Sequence, residues 1–102
     1  MEIPEGVVAI CEEAFVNSKV IEVNLPNTLM EIEARAFKDC TLLKKINIPE
    51  TLSVISDEAF YNCVLLEVNY NNDNIIFGND VFVAALFGNG IIERDGLFLP
   101  ST

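Results

Sequence analysis

The stretch that decides the fold is LPNTLMEIEARAFKDCTLLKKINIP at residues 25–49. A proline preceded by an aliphatic residue stands near its start and again at its end, and an Ala-Phe pair lies between them. The flanking sequence has the same arrangement, so that Pro4, Pro26 and Pro49 are 22 and 23 residues apart. An internal period of this length indicates a solenoid, in which each repeat is one structural unit stacked on the next.

The repeats share the pattern (I/L)-P-x-x-(V/L)-x-x-I-x-x-x-A-F-x-x-(C/S), followed by an apolar pair and a short V-N-L or I-N-I. A fourth, degenerate unit follows, because Phe82 lies 22 residues after Phe60. Beyond it, an Asp95-Gly96 pair between two apolar runs predicts a hairpin turn. We therefore interpret 1–102 as one domain, with repeats at about 3–24, 25–47 and 48–70 and a degenerate repeat plus C-terminal capping hairpin at about 71–102.

Each repeat predicts one strand and one compact turn. The segments VNL, INI and VNY alternate apolar and polar residues, as a half-buried strand does. The repeat is too short for a full crossover helix, so EEAF, ARAF and DEAF are assigned to short helical or 3₁₀ turns on the opposite side. The expected fold is an α/β repeat solenoid with one parallel sheet, whose strands lie about 4.8 Å apart.

Composition excludes several functional classes. The chain has 16 acidic and 6 basic residues, a formal charge of −10, which disfavours contact with nucleic acid. It has no His, so Ser-His and Cys-His nucleophile pairs and His-containing metal sites are excluded. The acidic pairs at 12–13 and 57–58 recur with the repeat and have no converging nucleophile. We expect no catalytic residue, no metal site and no cofactor.

The N-terminus reads MEIPEGVVAI, which lacks the basic start of a secretory signal, and no stretch reaches transmembrane length. These observations predict a cytoplasmic protein as the chain stands, or a surface or secreted one if it is a fragment of a longer chain. Cys40 and Cys63 share a repeat column, at a separation of about 5 Å that a disulfide permits. We favour free core thiols, because side chains in register point the same way.

The motif IPxxVxxIxxxAFxxC, with a following LxxIxIP, resembles the BspA-type leucine-rich repeat. Residues 25–49 match it in full, whereas the first and third units are one residue shorter after the Phe and Ser18 replaces Cys in the first. The resemblance covers residues 3 to about 70 strongly and 71–87 weakly. It implies a curved leucine-rich-repeat solenoid, a right-handed coil. Members are typically bacterial or protist surface proteins that bind proteins or host components, and enzymatic activity is not implied.

Stacking turns a sequence column into a ladder of side chains on the strand face. One such ladder is Asn24, Asn47 and Asn69, which is either a polar binding strip or an amide ladder bonded along the stack. The neighbouring column is Glu22, Lys45 and Glu67, in which one cation separates two acids. These six residues are the predicted partner-binding surface.

Two functional hypotheses follow. The first is a non-catalytic protein-interaction module, of a cell-surface or adhesion type or a fragment of one, that presents a rigid solenoid surface to a protein partner. The second is a structural unit that self-assembles, because the first repeat has no N-terminal cap and an uncovered sheet edge invites pairing with another copy. Neither hypothesis involves nucleic acid or insertion into a membrane.

Overall fold

The computed structural model describes residues 1–68, 72 and 74–84, and in these residues every strand is two residues long and pairs in parallel. Each of the four repeats contributes one strand to a four-stranded sheet. The segments that precede Pro26 and Pro49 form a second sheet of two strands. In chain order the strands are β1 (Ala9–Ile10), β2 (Glu22–Val23), β3 (Glu31–Ile32), β4 (Lys45–Ile46), β5 (Val54–Ile55) and β6 (Ile76–Phe77).

The repeat solenoid is confirmed, but it has two parallel sheets where one was expected. The four-stranded sheet has the order β1-β3-β5-β6, and the two-stranded sheet pairs β2 with β4. Isolated bridges Glu2–Asn24 and Lys45–Glu67 extend the smaller sheet to the neighbouring coils. The larger sheet was missed because segments such as Ala9–Ile10 and Val54–Ile55 place two apolar residues in succession and lack the apolar–polar alternation of the other strands.

The segments around the Ala-Phe pairs are turns, and the described residues contain no helix. Ala14 N donates to Cys11 O and Val16 N to Glu13 O, which are three-residue spacings like those of a 3₁₀ helix. However, Glu13 and Asn17 have φ of 60° and 64°, and the same columns are left-handed in the later coils. A left-handed residue at every fourth position prevents helix propagation, which is why the expected helical or 3₁₀ turns are not present.

These turns join the coils as a third hydrogen-bonded ladder. Phe15 N donates to Ala36 O at 2.8 Å, and Phe37 N donates to Ala59 O at 2.8 Å. Phe60 N continues the ladder to the fourth coil by donating to Val81 O at 3.0 Å. The left-handed residues therefore orient the main chain so that its N–H groups bond along the stack and not within a helix.

The core is a stack of phenylalanine rings surrounded by aliphatic side chains. Ring centroids lie 5.3 Å apart for Phe15–Phe37 and Phe37–Phe60, and 5.5 Å for Phe60–Phe82. The planes are within 15° of parallel, which is the offset-stacked geometry that aromatic pairs favour. Phe37 and Phe60 are fully buried, whereas Phe15 in the first coil is only half-buried. We call these four rings the phenylalanine ladder.

Cys40 and Cys63 are buried free thiols beside this ladder. Cys40 Sγ donates to Phe15 O at 3.1 Å, and Cys63 Sγ donates to Phe37 O at 3.0 Å. The neighbouring Cys40 thiol, and then burial, raise the pKa of the Cys63 thiol. Both thiols therefore act as small core groups that satisfy main-chain carbonyls of the preceding coil.

Part of the fourth unit belongs to the described residues. Phe77 pairs with Ile55 in register, 22 residues apart in sequence. Gly78 follows, and a Cβ there would lie 2.6 Å from the Asp57 nitrogen, so no larger residue fits without a shift. The predicted Asp95-Gly96 hairpin and the binding residue Asn69 lie outside the described residues.

Candidate functional site

A groove of about 290 Å³ lies on the two-stranded sheet, and its lining includes five of the six predicted binding residues. The sixth, Asn69, is outside the described part of the chain. The groove is lined by Glu22, Val23, Asn24, Lys45, Ile46, Asn47 and Glu67. We call it the strand-face groove.

The strand register sets the order of the charged side chains. Glu22 pairs with Lys45 and Lys45 pairs with Glu67, so that an acid, a base and a second acid follow one another across adjacent coils. All three are exposed, whereas Val23 and Ile46 point into the core. Because side chains alternate along each strand, one residue packs in the core and the next is exposed to solvent. Glu22, Lys45 and Glu67 are called the charge ladder below.

The asparagine column is largely occupied by internal hydrogen bonds. Asn47 Oδ1 accepts from Leu25 N at 2.6 Å, and Asn47 Nδ2 donates to Leu25 O at 2.9 Å. The Asn24 amide donates to Glu2 Oε2 at 3.1 Å. The Asn47 side chain thus satisfies the main-chain N–H and C=O of Leu25 in the preceding coil. Asn47 is therefore a structural residue, although it lines the groove.

The charge ladder is not internally paired. In the described residues, no ion pair within 4.0 Å joins Lys45 to Glu22 or to Glu67. The surface formed by the turns around the Ala-Phe pairs, called the turn face below, does have internal ion pairs. Arg35 pairs there with Glu12 and with Glu13, the latter at 3.1 Å between Nε and Oε2. The sequence shows one cation between acids in both columns, but within the described residues Arg35 has two ion pairs and Lys45 has none.

The turn-face cations are engaged in further contacts. Lys38 Nζ lies 3.5 Å from Glu58 Oε1 and 5.2 Å from the centroid of the Tyr61 ring. Glu13, Glu12 and Glu58 surround Arg35, and the hydrogen bond that Arg35 donates to Glu13 is the main cause that raises the pKa of Arg35. These contacts connect successive coils at the surface.

Sequence reasoning missed two groups on the coils that carry the groove. Glu2 accepts a hydrogen bond from the Asn24 side chain, and the two residues form a bridge of the sheet. The repeat spacing could have identified Glu2, since it lies 22 residues before Asn24. The second group is a set of exposed aliphatic side chains on the segments that lead into the groove strands. Its members are Ile21, Leu42 and Leu65, one in each coil. We call them the aliphatic flank.

Within residues 1–68, 72 and 74–84, no group of three or more Cys, Asp or Glu side chains could hold a metal ion. No helix in this part of the chain is long and apolar enough to cross a membrane. The chemistry that the groove offers is therefore that of carboxylates, one ammonium group and aliphatic surface.

Comparison with known proteins agrees with the geometry. A family model described as BspA type leucine rich repeat region (6 copies) matches residues 1–86. The chain belongs to this family, whose repeats form protein-interaction modules and are generally non-enzymatic. A search of curated proteins gave no match.

Among solved structures, the crystal structure of the T. pallidum leucine rich repeat protein (TpLRR) is similar to this chain, with 33% sequence identity and a TM-score of 0.71. The match covers 74% of this chain and 36% of that protein. The chain thus corresponds to about a third of the length of this relative.

Proposed function

We propose that the chain is a non-catalytic protein-interaction module and that the strand-face groove is its binding surface. The observation that carries this proposal is the charge ladder, since Glu22, Lys45 and Glu67 are exposed in a groove and Lys45 has no ion pair within the described chain. Charged groups held on a rigid sheet fix the register of a partner and speed its encounter. The excess of acidic residues favours a partner with a basic surface.

The test is capture of a protein partner from cell extract by the immobilised chain. Lys45→Glu and Glu22→Lys reverse two charges of the groove, and each is expected to abolish capture. Lys19→Glu makes the same charge change as Lys45→Glu at an exposed residue away from the groove lining, so it is the matched control and should capture normally. Capture that survives both groove variants would show that another surface binds the partner.

We further propose that the module acts at a cell surface, in an adhesion role. The support is the family resemblance, since members of this kind are typically surface proteins, and the acidic composition, which suits a solvated exterior. Protease treatment of intact cells tests this directly. Loss of the protein while a cytoplasmic marker survives is expected, and protection of both would overturn the surface assignment.

A second candidate function is self-assembly through the first coil. The first coil has four half-buried apolar side chains, Ile3, Val7, Phe15 and Val20. The residues 22 positions after the first three of these, Leu25, Leu29 and Phe37, are buried. A second copy stacked on this face would cover the four half-buried side chains. Sedimentation over a range of concentrations should show a dimer that Phe15→Glu removes, and a monomer at every concentration would rule this function out.

A further inference from the structure

The spacing of the charge ladder can be compared with the side-chain spacing of each regular backbone conformation. Neighbouring strands of a sheet are about 4.8 Å apart, so the Cα atoms of Glu22, Lys45 and Glu67 follow one another at intervals of about 5 Å and span about 10 Å. A partner that lies along the stacking direction must present complementary charges at the same intervals. An α-helix, an extended strand and a polyproline II segment each bring side chains back to the same face at a different interval along the axis.

An α-helix matches these intervals. Residues i and i+3 or i+4 are separated by about 4.5–6 Å along the axis, and residues i and i+7 by about 10.5 Å. An extended strand repeats its face every two residues, at about 6.6–6.8 Å, and loses register with the ladder by the second charge. A polyproline II segment repeats every three residues, at about 9.3 Å, so it would meet both acids and pass over Lys45.

The aliphatic flank supplies the second half of the match. Ile21 precedes Glu22 directly, and Leu42 and Leu65 precede Lys45 and Glu67 by three and two residues. Ile21 is 57% exposed, and all three side chains remain accessible in the described chain. A helix is about 10 Å in diameter, so one that lies on the charge ladder also reaches side chains to either side of it.

From these observations we propose that the strand-face groove receives an amphipathic α-helix of the partner protein, which lies along the stacking direction. The helix carries a cation, an anion and a cation at positions i, i+3 or i+4, and i+7, facing Glu22, Lys45 and Glu67 respectively. Its apolar residues contact the aliphatic flank. This inference rests on the proposed binding function of the groove and adds the class of element that binds there.

The probes are three synthetic peptides of about 18 residues, long enough for an alanine-rich helix to form. The first carries Lys, Glu and Lys at i, i+4 and i+7 on one face, with Leu beside them. The second exchanges every Lys and Glu, and the third keeps the composition of the first but contains prolines that prevent a helix. Binding is followed by NMR, from the amide shifts of residues 22–24, 45–47 and 67.

The first peptide should shift these amides and bind at least about fivefold more tightly than either of the other two at low salt. Glu22→Lys, Lys45→Glu and Glu67→Lys combined in one protein should reverse the preference in favour of the second peptide. Equal binding of the first two peptides would overturn the charge register, and equal or tighter binding of the third would overturn the helix. The absence of groove shifts with every peptide at millimolar concentration would also overturn the inference.

The aliphatic contact has its own matched pair of variants. Ile21→Ser should weaken the first peptide severalfold, whereas Val16→Ser, which removes an exposed aliphatic side chain on the turn face, should not. Equal affinities of the two variants would remove the flank from the site. These results are separable from the proposed function: capture that depends on Lys45 without any peptide binding overturns the helix alone, whereas capture unaffected by Lys45→Glu overturns the binding groove.

Discussion

The phenylalanine ladder and the charge ladder repeat with the same period, yet they obey different physical rules. In the first, Phe37 and Phe60 are fully buried and stacked within 5.5 Å of their neighbours, so every layer needs the same ring to fill the same space. In the second, the side chains are exposed and the charge alternates from coil to coil. Repetition alone therefore does not distinguish framework residues, which hold the fold together, from residues that can bind a partner. The distinction depends on whether a side chain is buried and on whether its polar atoms already form hydrogen bonds inside the protein.

Asn47 shows where this comparison is least obvious. It lines the groove, as a binding residue would, and its column repeats, as a framework residue would. Both polar atoms of its amide bond the main chain of Leu25, which is itself buried. Its chemistry is already used inside the protein, so it belongs to the framework although its side chain is exposed.

The largest expected effect comes from a break in the phenylalanine ladder. Phe60→Ala removes a fully buried ring that stacks on both sides, and it should lower the free energy of unfolding by about 3–5 kcal/mol. Urea unfolding followed by circular dichroism measures the change. If the Ala variant does not fold, Phe60→Leu should remain folded with a smaller loss.

The matched control for that prediction is Phe15→Ala. Its ring is half-buried and stacks on one neighbour, so its loss should cost about half as much as that of Phe60. Equal losses at the two positions would mean that the first coil is as well covered as the third.

An intermediate effect is expected at Asn47. Asn47→Ala leaves the N–H and C=O of Leu25 without their side-chain partner, which should cost about 1–3 kcal/mol. Asn24→Ala is the control, because within the described residues the Asn24 side chain bonds the exposed Glu2 carboxylate and no main-chain group, and its loss should cost about 0.5 kcal/mol or less. Thermal unfolding of both variants tests the difference, and equal costs would return Asn47 to the list of candidate binding residues.

A smaller effect on stability is expected within the charge ladder. Lys45→Gln removes an exposed cation with no ion pair in the described chain, so the free energy of unfolding should change by less than about 0.5 kcal/mol. The same variant should nevertheless reduce capture of the partner. A loss of stability comparable to that of Asn47→Ala would place Lys45 in the framework and not in the binding surface.

The smallest perturbation uses the native thiols as probes. Cys11 is exposed, whereas Cys40 and Cys63 are buried and donate to carbonyls of the preceding coil. A thiol reagent at about pH 8 should label Cys11 rapidly and the other two only after unfolding, since burial and the raised pKa keep Cys63 in its unreactive protonated form. Fast labelling of Cys63 in the folded protein would show that the layers open.

Much of the fold could be predicted from the sequence, because stacked repeats convert a period of 22 or 23 residues into spatial columns. The residues of the groove could be predicted because they occupy equivalent positions in successive repeats, and Glu22, Lys45 and Glu67 do lie together there. The four-stranded sheet could not, since β1 and β5 place two apolar residues in succession and show no alternation. Neither could the turns, because left-handed Glu13 and Arg35 give no sequence signal of a positive φ.

What the sequence by itself determined was the order and spacing of the layers, which depend on apolar and proline positions that recur along one dimension. What only the tertiary structure decided was which polar side chains remain available. Arg35 and Lys45 occupy equivalent places between acids in the sequence, yet Arg35 reaches Glu13 and Lys45 reaches neither Glu22 nor Glu67 within the described residues. The reason is that availability depends on distances and directions between side chains of different coils, and these are set by how the coils stack and not by their spacing along the chain.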